Sequence, residues 1–334
     1  MRIMVTGACG FLGAKLIKEI LDRGSLVGSE GNSVPISQIL ATDILPQVAG
    51  LPEDNRIVYR SGDLANPEFV GSLFSEPSQS IFHLASLVSG GAEQDFDAGM
   101  KANLAGTMHI LDAARRTGIR PRLVFTSSIA AYGGDLPNLI SDEQQLTPES
   151  SYGIQKAIGE LLVNDYTRKG FINGRSLRLP IIAVRPGSAN SAASSWASAI
   201  VREPLNGVAY ACAVAPEDRG FLLSPRKAID GLILGHNSPD HVWGRDRSVM
   251  MSGLSCTAGE LVEALGRVAG ASVAQLVSWH PDSFVRRIIT SWPTRFSLQK
   301  ATRIGLSADG SIDSIVSQYI EDYRDNRAGT MSQS

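Results

Sequence analysis

A glycine-rich segment near the N terminus is the feature that most constrains the fold. Gly7–Gly13, with the sequence Gly-Ala-Cys-Gly-Phe-Leu-Gly, follows an apolar run at Ile3–Thr6 and leads into a helical pattern at Leu12–Arg23. Glycines at this spacing permit a tight turn, close approach of the backbone to a pyrophosphate, and close packing of helix on sheet. The first N–H groups of the helix then lie at the positive end of its dipole. Because it lies between a strand and a helix, the motif predicts a dinucleotide-binding βαβ unit.

Short apolar runs alternate with helical patterns through the N-terminal half, which is typical of a parallel sheet built from βαβ units. The predicted strands are Ile3–Thr6, Ile39–Thr42, Ile57–Arg60, Ser80–Leu84, Leu123–Ser127 and Ile181–Val184. The predicted helices are Leu12–Arg23, Pro67–Phe74, Phe96–Thr117 and Tyr152–Lys169. Gly28–Pro35 lacks apolar periodicity and is predicted as a surface loop. We therefore predict an α/β fold with a doubly wound, Rossmann-like parallel sheet.

The composition of the chain changes after Pro186. Gly187–Ser195 is rich in Gly, Ser, Ala and Asn, which suits a loop lining a cleft. We predict a nucleotide-binding domain over residues 1–185, with a returning segment at about residues 221–240 that contains a helix. Residues 186–325 are predicted to form mainly a smaller C-terminal substrate lobe, and residues 326–334 a frayed tail. The helices predicted after Pro186 are Ser224–Asn237, Ser255–Val268 and Ser311–Arg324.

Asp43 follows the second predicted strand, where a carboxylate can accept both ribose hydroxyls of the adenosine half of NAD. The 2′-phosphate of NADP would meet like charge there, and no arginine adjoins Asp43 in the sequence. The distance from the glycines exceeds the usual ~20 residues, because Gly28–Pro35 intervenes, so an aspartate that caps a helix or turn is the alternative. We predict NAD as the cofactor.

The constellation that most specifically indicates chemistry is Ser128 with Tyr152 and Lys156. Residues four apart on a helix share a face, so Tyr152 and Lys156 should project into one cleft. A tyrosine with a pKa of about 10 is a poor base at neutral pH, but a lysine ammonium and the positive nicotinamide of NAD⁺ stabilise its phenolate. Ser128, at the carboxyl end of its strand, can hold the substrate hydroxyl. An ordinary helix face is the alternative for Tyr152 and Lys156.

Several motifs occur in the order found in one enzyme family. The glycine-rich segment, His83-Leu84-Ala85, Asn103–Thr107 and the Tyr152–Lys156 spacing resemble the extended short-chain dehydrogenase/reductase (NAD-dependent epimerase/dehydratase) family over residues 1 to about 190. The resemblance implies an enzyme that pairs as a homodimer through two long helices. It implies cofactor contacts from Gly7, Gly10, Phe11, Leu12, Gly13, Asp43, Asp63, Leu64, Leu84, Ala85, Asn103, Tyr152, Lys156 and Pro180.

Two departures narrow the resemblance. Ile129-Ala130 stand where dehydratases of the family carry an Asp-Glu pair, and Arg178–Gly187 lacks the asparagine that binds a sugar diphosphate. Segments 190–195, 202–207, 253–255 and 287–293 resemble the branch that oxidises the 2-hydroxyl of a short sugar acid such as D-erythronate with NAD⁺. A nucleotide-sugar 4-epimerase with tightly held NAD and a non-catalytic NAD-sensing regulator remain alternatives.

A substrate carboxylate favours a fork-shaped guanidinium. Arg185, Arg202 and the Arg286/Arg287 pair are the candidates, and of these we predict Arg202 or Arg287, with a salt bridge elsewhere as the equal alternative for each. Hydroxyl contacts to the substrate are predicted from Ser86, Ser128, Ser194 and Ser195. His83 and Trp292 are predicted to pack in the interior.

The composition argues against other classes of protein. The net charge of −2, from 31 basic and 33 acidic residues, gives no overall positive potential that would attract nucleic acid or an anionic membrane. No apolar run approaches the ~20 residues of a membrane span, and no signal peptide precedes the first strand. The scattered cysteines and histidines show no metal-ligand spacing. We expect a cytoplasmic enzyme without a metal, acting on a small anionic sugar acid.

Overall fold

The structure, a computed structural model, describes residues 1–46, 50–187 and 192–325. Its strands are β1 Arg2–Thr6, β2 Ser25–Val27, β3 Ser33–Pro35, β4 Gln38–Asp43, β5 Ile57–Ser61, β6 Ser80–His83, β7 Arg122–Ser128, β8 Asn173–Leu179, β9 Ile181–Ile182, β10 Tyr210–Cys212, β11 Arg219–Leu223, β12 Ser248–Met250, β13 Leu254–Thr257 and β14 Val277–Trp279. Its helices are α1 Phe11–Arg23, α2 Pro67–Leu73, α3 Ser89–Gln94, α4 Phe96–Gly99, α5 Gly106–Arg116, α6 Ser151–Arg168, α7 Trp196–Leu205, α8 Pro225–Asn237, α9 Ala258–Ala269, α10 Ala271–Ala274, α11 Ser283–Thr290, α12 Gln299–Ile304 and α13 Ile312–Ile320. The predicted tail and residues 188–191 of the predicted cleft loop lie outside the described residues.

The main sheet has seven strands in the order β12-β8-β7-β6-β1-β4-β5. All neighbouring strands pair in parallel. After β5 the chain crosses to the other side of β1 and continues with β6, so the strand order reverses beside β1. In doubly wound sheets, ligands bind in the crevice at the carboxyl ends of the strands at such a point. The predicted fold class is confirmed, and the expected ligand crevice lies after β1 and β6.

Burial on both faces explains why the central strands are apolar. All four residues of β6 and the first six of β7 are buried, as expected of parallel strands covered by helices on each side. One face packs against α1, α8 and α12, and the other against α2, α5 and α6. The first layer includes Leu16, Ile17, Ile20, Leu232, Ile233 and Ile304. The second includes Val70, Leu73, Ile110, Leu111 and Val163.

Two predictions about strands were wrong. The sixth strand of the main sheet is β8, Asn173–Leu179, whereas the predicted strand Ile181–Val184 contributes only β9, which pairs with β11 in a separate three-stranded sheet. The strand β8 is buried, but its sequence contains Arg175 and Arg178 and so lacks the continuous apolar run by which buried strands are recognised. Gly28–Pro35, predicted as a loop, contains β3, which forms a hairpin with β2.

Two other predictions need smaller adjustment. The predicted helix Phe96–Thr117 comprises α4, a π-helical turn at Met100–Ala105, and α5. Helix α8 packs against β7 and β8, and the chain after it supplies β12, which joins the edge of the main sheet and had not been predicted.

A third group of buried side chains lies among the later elements. It includes Trp196 and Ile200 of α7, Leu261 and Leu265 of α9, and Val316 of α13, together with Tyr132 from the N-terminal half. The division at residue 185 stays a prediction. No helix in the described ranges combines the length and apolarity needed to cross a membrane.

Candidate active site

Two cavities meet at the carboxyl ends of β1 and β6. One, of about 240 Å³, is lined by Tyr152 and is called here the tyrosine cavity. The other, of about 430 Å³, is lined by Asp43 and is called the aspartate cavity. Both are lined by Gly7, Gly10, Leu84 and Ser86. The glycine-rich segment therefore forms the junction between two adjoining spaces.

The geometry of the turn explains its glycines. Gly7 has a φ of +68°, and a Cβ there would lie 2.8 Å from the backbone nitrogen of Ala85. A Cβ on Gly13 would lie 2.1 Å from the carbonyl oxygen of Gly7. Gly10 precedes α1, and within the described chain no side chain caps that helix. The N terminus of α1 is thus a ready site for an anion such as a phosphate.

The aspartate cavity fits an adenosine group. The Asp43 carboxylate accepts the N–H of Cys9 at 3.0 Å and that of Leu45 at 3.3 Å, which holds it at the end of β4. Ile44, which is 68% exposed, lines the same cavity. Thr42 also lines it, and its hydroxyl is buried without a hydrogen-bond partner in the described residues.

The other predicted adenosine contacts lie along the same cavity. Asp63, Leu64, Leu84 and Ala85 all line it. The Asp63 carboxylate accepts the N–H of Ala65 at 2.8 Å, which fixes the turn after β5. The structure therefore brings together residues from the ends of β4, β5 and β6.

The tyrosine cavity gathers the predicted reactive side chains. Tyr152, Lys156 and Ser128 all line it, and the hydroxyls of Ser128 and Ser86 lie close enough to the Tyr152 phenol to lower its pKa. Lys156 is 3% exposed, donates to the Thr126 carbonyl at 2.8 Å, and has its ammonium 5.6 Å from the Tyr152 ring centroid. The ends of β6 and β7 and the first turns of α6 therefore converge on one phenol.

Burial and charge perturb both titratable groups. Burial raises the pKa of Tyr152 above its usual 10.0, although the two serine hydroxyls and the Arg185 guanidinium lower it. Burial also lowers the pKa of Lys156 to about 7, while the Glu160 carboxylate raises it. A partly buried tyrosine and a buried lysine with shifted pKa values in one cavity are typical of an acid–base site.

Asn103 and Pro180 differ in their relation to the cavities. Pro180 lines the tyrosine cavity, and its contact with the cofactor stays a prediction. Asn103 is not among the described residues that line either cavity, because its amide binds the backbone of Leu87. Its oxygen accepts the Leu87 N–H at 2.7 Å, and its nitrogen donates to the Leu87 carbonyl at 3.1 Å and to Gln155 at 2.7 Å. Asn103 therefore supports the loop that follows β6.

The two preferred arginines do not reach the tyrosine cavity in the described part of the chain. Arg202 is 3% exposed and directs its guanidinium to the Glu203 carboxylate and the Arg185 carbonyl. Arg287 is exposed and stacks at 5.5 Å over the Phe284 ring. Ser194 lines the cavity, whereas Ser195 is outside its described lining. Within the described residues, Arg202, Arg287 and Ser195 are thus outside the lining of this cavity, and their substrate contacts stay predictions.

Arg185 is the arginine that lines the tyrosine cavity. The sequence had made it a candidate without preferring it, since nothing local separates it from Arg202. A usable signal was its position directly after the predicted strand Ile181–Val184 and just before the predicted cleft loop Gly187–Ser195. Trp292 is 8% exposed and packs as predicted, but it also borders the cavity.

His83 is a core residue, as predicted. Its ring lies between the hydroxyls of Thr6 and Thr107 at 2.7 and 2.9 Å, and burial lowers its pKa to about 3. It is therefore neutral at physiological pH. Within the described residues no cluster of histidine, cysteine and carboxylate side chains could hold a metal ion.

Comparison with known proteins gives consistent relatives. The model of the NAD dependent epimerase/dehydratase family matches residues 3–206. The chain is 46% identical over 323 residues to a D-erythronate dehydrogenase of Cupriavidus necator, covering 96% of this chain and 98% of the relative. It is 36% identical over 321 residues to a D-erythronate dehydrogenase of Haemophilus influenzae, covering 96% and 99%. The crystal structure of a nucleoside-diphosphate-sugar epimerase from Agrobacterium tumefaciens superposes with a TM-score of 0.90 at 39% identity, covering 97% of this chain and 94% of that one.

Proposed function

The chain belongs to the NAD-dependent epimerase/dehydratase family, and from that premise we propose that it oxidises the 2-hydroxyl group of a small sugar acid such as D-erythronate. It is an NAD-dependent dehydrogenase of the extended short-chain type. The observation that carries the proposed substrate is the presence of Arg185 beside Tyr152 in one small cavity. Similarity to two D-erythronate dehydrogenases along nearly the whole chain supports the same substrate.

The residues around the two cavities fit NAD. The pyrophosphate would be held by the turn at Gly7, Gly10 and Gly13, where added Cβ atoms would collide with backbone. Asp43, which lines the aspartate cavity, would accept the adenosine ribose hydroxyls. The remaining proposed contacts are Phe11, Leu12, Asp63, Leu64, Leu84, Ala85, Tyr152, Lys156 and Pro180. When bound, NAD⁺ supplies the acceptor for the hydride that leaves the carbinol carbon.

In the proposed reaction, Tyr152 removes the proton from the substrate hydroxyl while the hydride leaves its carbon. Ser128 and Ser86 would hold the same oxygen beside the phenol, since both hydroxyls lie near enough to Tyr152 to lower its pKa. Lys156, fixed by the Thr126 carbonyl, provides the positive charge that stabilises the phenolate. A lysine pKa of about 7 puts this charge near its midpoint at neutral pH. The rate should therefore depend on pH in that range.

Arg185 is proposed to bind the substrate carboxylate. Burial lowers the pKa of its guanidinium, and the Arg202 guanidinium acts in the same direction. An anion placed against Arg185 would offset both effects, because a charge-assisted bidentate contact favours the charged form. Ser194, which lines the same cavity, is proposed to contact a further hydroxyl of the substrate.

A nucleotide-sugar epimerase is the second candidate, favoured by the similarity of this chain to the nucleoside-diphosphate-sugar epimerase from Agrobacterium tumefaciens. An epimerase reduces and reoxidises its cofactor within one turnover, so NADH does not accumulate. We therefore expect D-erythronate, and not UDP-sugars, to produce NADH steadily. Conversion of UDP-sugars without NADH release would favour the epimerase, and NAD binding without any turnover would favour a regulator.

The variant Tyr152→Phe tests the acid–base role. It removes only the phenolic oxygen, so NAD should still bind while kcat falls by about 10²–10⁴-fold. Tyr166→Phe is the matched control, because Tyr166 lies on the same helix against Phe171, with ring centroids 5.8 Å apart. A kcat near the wild-type value in Tyr152→Phe, with either substrate class, would remove Tyr152 from the mechanism.

Homodimerisation is also proposed. Ile154 and Leu161 lie seven residues apart on α6 and are 46% and 68% exposed, and Met108 on α5 is 47% exposed. Residues seven apart lie on one side of a helix, so these side chains form an apolar stripe. Such stripes on two adjacent helices are suited to pairing with a second copy of the chain.

A further inference from the structure

A buried group of charged and polar side chains lies directly behind the tyrosine cavity. The Glu160 carboxylate, in a residue that is 2% exposed, accepts the Ser127 hydroxyl and forms an ion pair with Arg178. Arg178 donates from Nε at 2.9 and 3.1 Å and from a terminal nitrogen at 2.6 Å. Its other terminal nitrogen donates to the Tyr132 hydroxyl at 2.7 Å. We call these four residues the Glu160 cluster.

The cluster joins the elements that carry the reactive residues. Glu160 lies one helical turn beyond Lys156 on α6, so the two side chains share a face of the helix. Ser127 precedes Ser128 at the end of β7. Arg178 lies on β8, immediately before the cavity residues Leu179 and Pro180. One carboxylate thus joins β7 and β8, two of the strands whose ends border the tyrosine cavity.

The charge of Glu160 acts on a lysine that burial would otherwise neutralise. Among the described residues, the titratable groups that face Lys156 are Glu160 and Tyr152 on its own helix and His83 from β6. His83 is neutral, since burial lowers its pKa to about 3. Arg178 on β8 is paired with Glu160, and Arg185, which follows β9, faces Tyr152. Burial lowers the pKa of Lys156 to about 7 and Glu160 raises it.

We propose that Glu160 is a positioning residue of this dehydrogenase, which keeps Lys156 charged and holds Ser127, and with it Ser128, against the catalytic helix. It acts through these neighbours and does not touch the substrate. The proposal rests on the roles proposed above for Tyr152 and Lys156. Buried ion pairs often contribute little to the free energy of unfolding. The proposal therefore gives the Glu160–Arg178 pair a role in the reaction rather than in stability.

Glu160→Gln removes the charge and retains an oxygen that can accept the Ser127 hydroxyl. We expect Lys156 to lose its proton at lower pH, which moves the alkaline limb of the kcat profile toward acid by about one pH unit or more. Below this limb, kcat should approach the wild-type value. A purely structural role would lower kcat by the same factor at every pH.

The variant leaves Arg178 buried without its anionic partner, which can prevent folding. The double variant Glu160→Gln/Arg178→Met removes both charges, and we expect it to fold and to show the same shift of the limb. Tyr132→Phe is the control, because it removes one hydrogen bond of the cluster and no charge. Its limb should stay at the wild-type position.

Three results would overturn the proposal: an unmoved limb in folded Glu160→Gln, an unmoved limb in the double variant, or failure of both to fold, which would make the cluster solely structural. The proposed roles of Tyr152 and Lys156, on which this inference rests, are tested separately with Lys156→Met. If Lys156→Met and Tyr152→Phe are inactive while the limb does not move, only the role of Glu160 is wrong. If those two variants retain wild-type kcat, the mechanism itself is wrong.

Discussion

Replacing Arg185 by alanine tests which guanidinium binds the substrate carboxylate. Arg185 lines the tyrosine cavity close enough to Tyr152 to influence its charge. Burial lowers the pKa of Arg185, so its charge is partly removed from water. A carboxylate bound there gains more than a surface ion pair, which is worth about 0–1 kcal/mol. The alanine variant should therefore lose affinity selectively for the anionic substrate.

The expected magnitude follows from the contact that is lost. Removing one partner of a charge-assisted, bidentate contact in a closed site costs about 2–4 kcal/mol. At about 1.36 kcal/mol for each factor of ten, kcat/KM for D-erythronate should fall roughly 30- to 1000-fold. Most of the change should appear in KM, because the carboxylate is bound equally in the ground state and the transition state.

The assay measures initial rates of NADH formation with D-erythronate and with its neutral methyl ester. Arg185→Ala should lower kcat/KM for the acid much more than for the ester. Arg287→Ala is the matched control, because Arg287 is exposed and stacks over Phe284 at 5.5 Å. We expect the control to retain the wild-type ratio of acid to ester.

Two results would refute this reasoning. If the ratio of kcat/KM for the acid to kcat/KM for the ester is the same in Arg185→Ala as in the wild type, the substrate carboxylate binds elsewhere. If Arg287→Ala instead shows the acid-selective loss, the assignment made from the sequence is correct, and α11 must approach the cavity when substrate binds.

Two further predictions concern the cofactor and the assembly. Asp43→Asn should reduce the preference for NAD over NADP by about tenfold or more, since hydrogen bonds to a charged group contribute roughly 1.5–3 kcal/mol. The ratio of kcat/KM for NAD to kcat/KM for NADP measures this preference, and an unchanged ratio would show that Asp43 does not select the cofactor. Leu161→Arg should convert a dimer to a monomer in light scattering, because it places a charge on a side chain that is 68% exposed. Phe284→Arg, at an exposed residue on α11, should remain dimeric, and a monomeric wild type would contradict the proposed pairing.

Local sequence patterns were sufficient for the framework of the site. Gly13 could be recognised because its role depends on the backbone of Gly7 and Ala8, only a few residues away. Tyr152 and Lys156 could be placed in one cleft from helical spacing alone. Ser128 followed from its position at the carboxyl end of an apolar strand. Each of these inferences uses geometry that is periodic along the chain, and for that reason no tertiary information was needed to bring these residues to one cavity.

Tertiary structure decided what depends on partners distant in the chain. β8 was missed because Arg178 looks exposed in sequence, yet its charge is balanced by Glu160 on another element. Arg202 was preferred to Arg185 because the sequence cannot show where a guanidinium points. A long, flexible side chain turns toward whichever acceptors the fold provides, and for Arg202 these are Glu203 and a backbone carbonyl. Backbone periodicity is therefore encoded locally, whereas the direction and pairing of buried charges are set by the assembled fold.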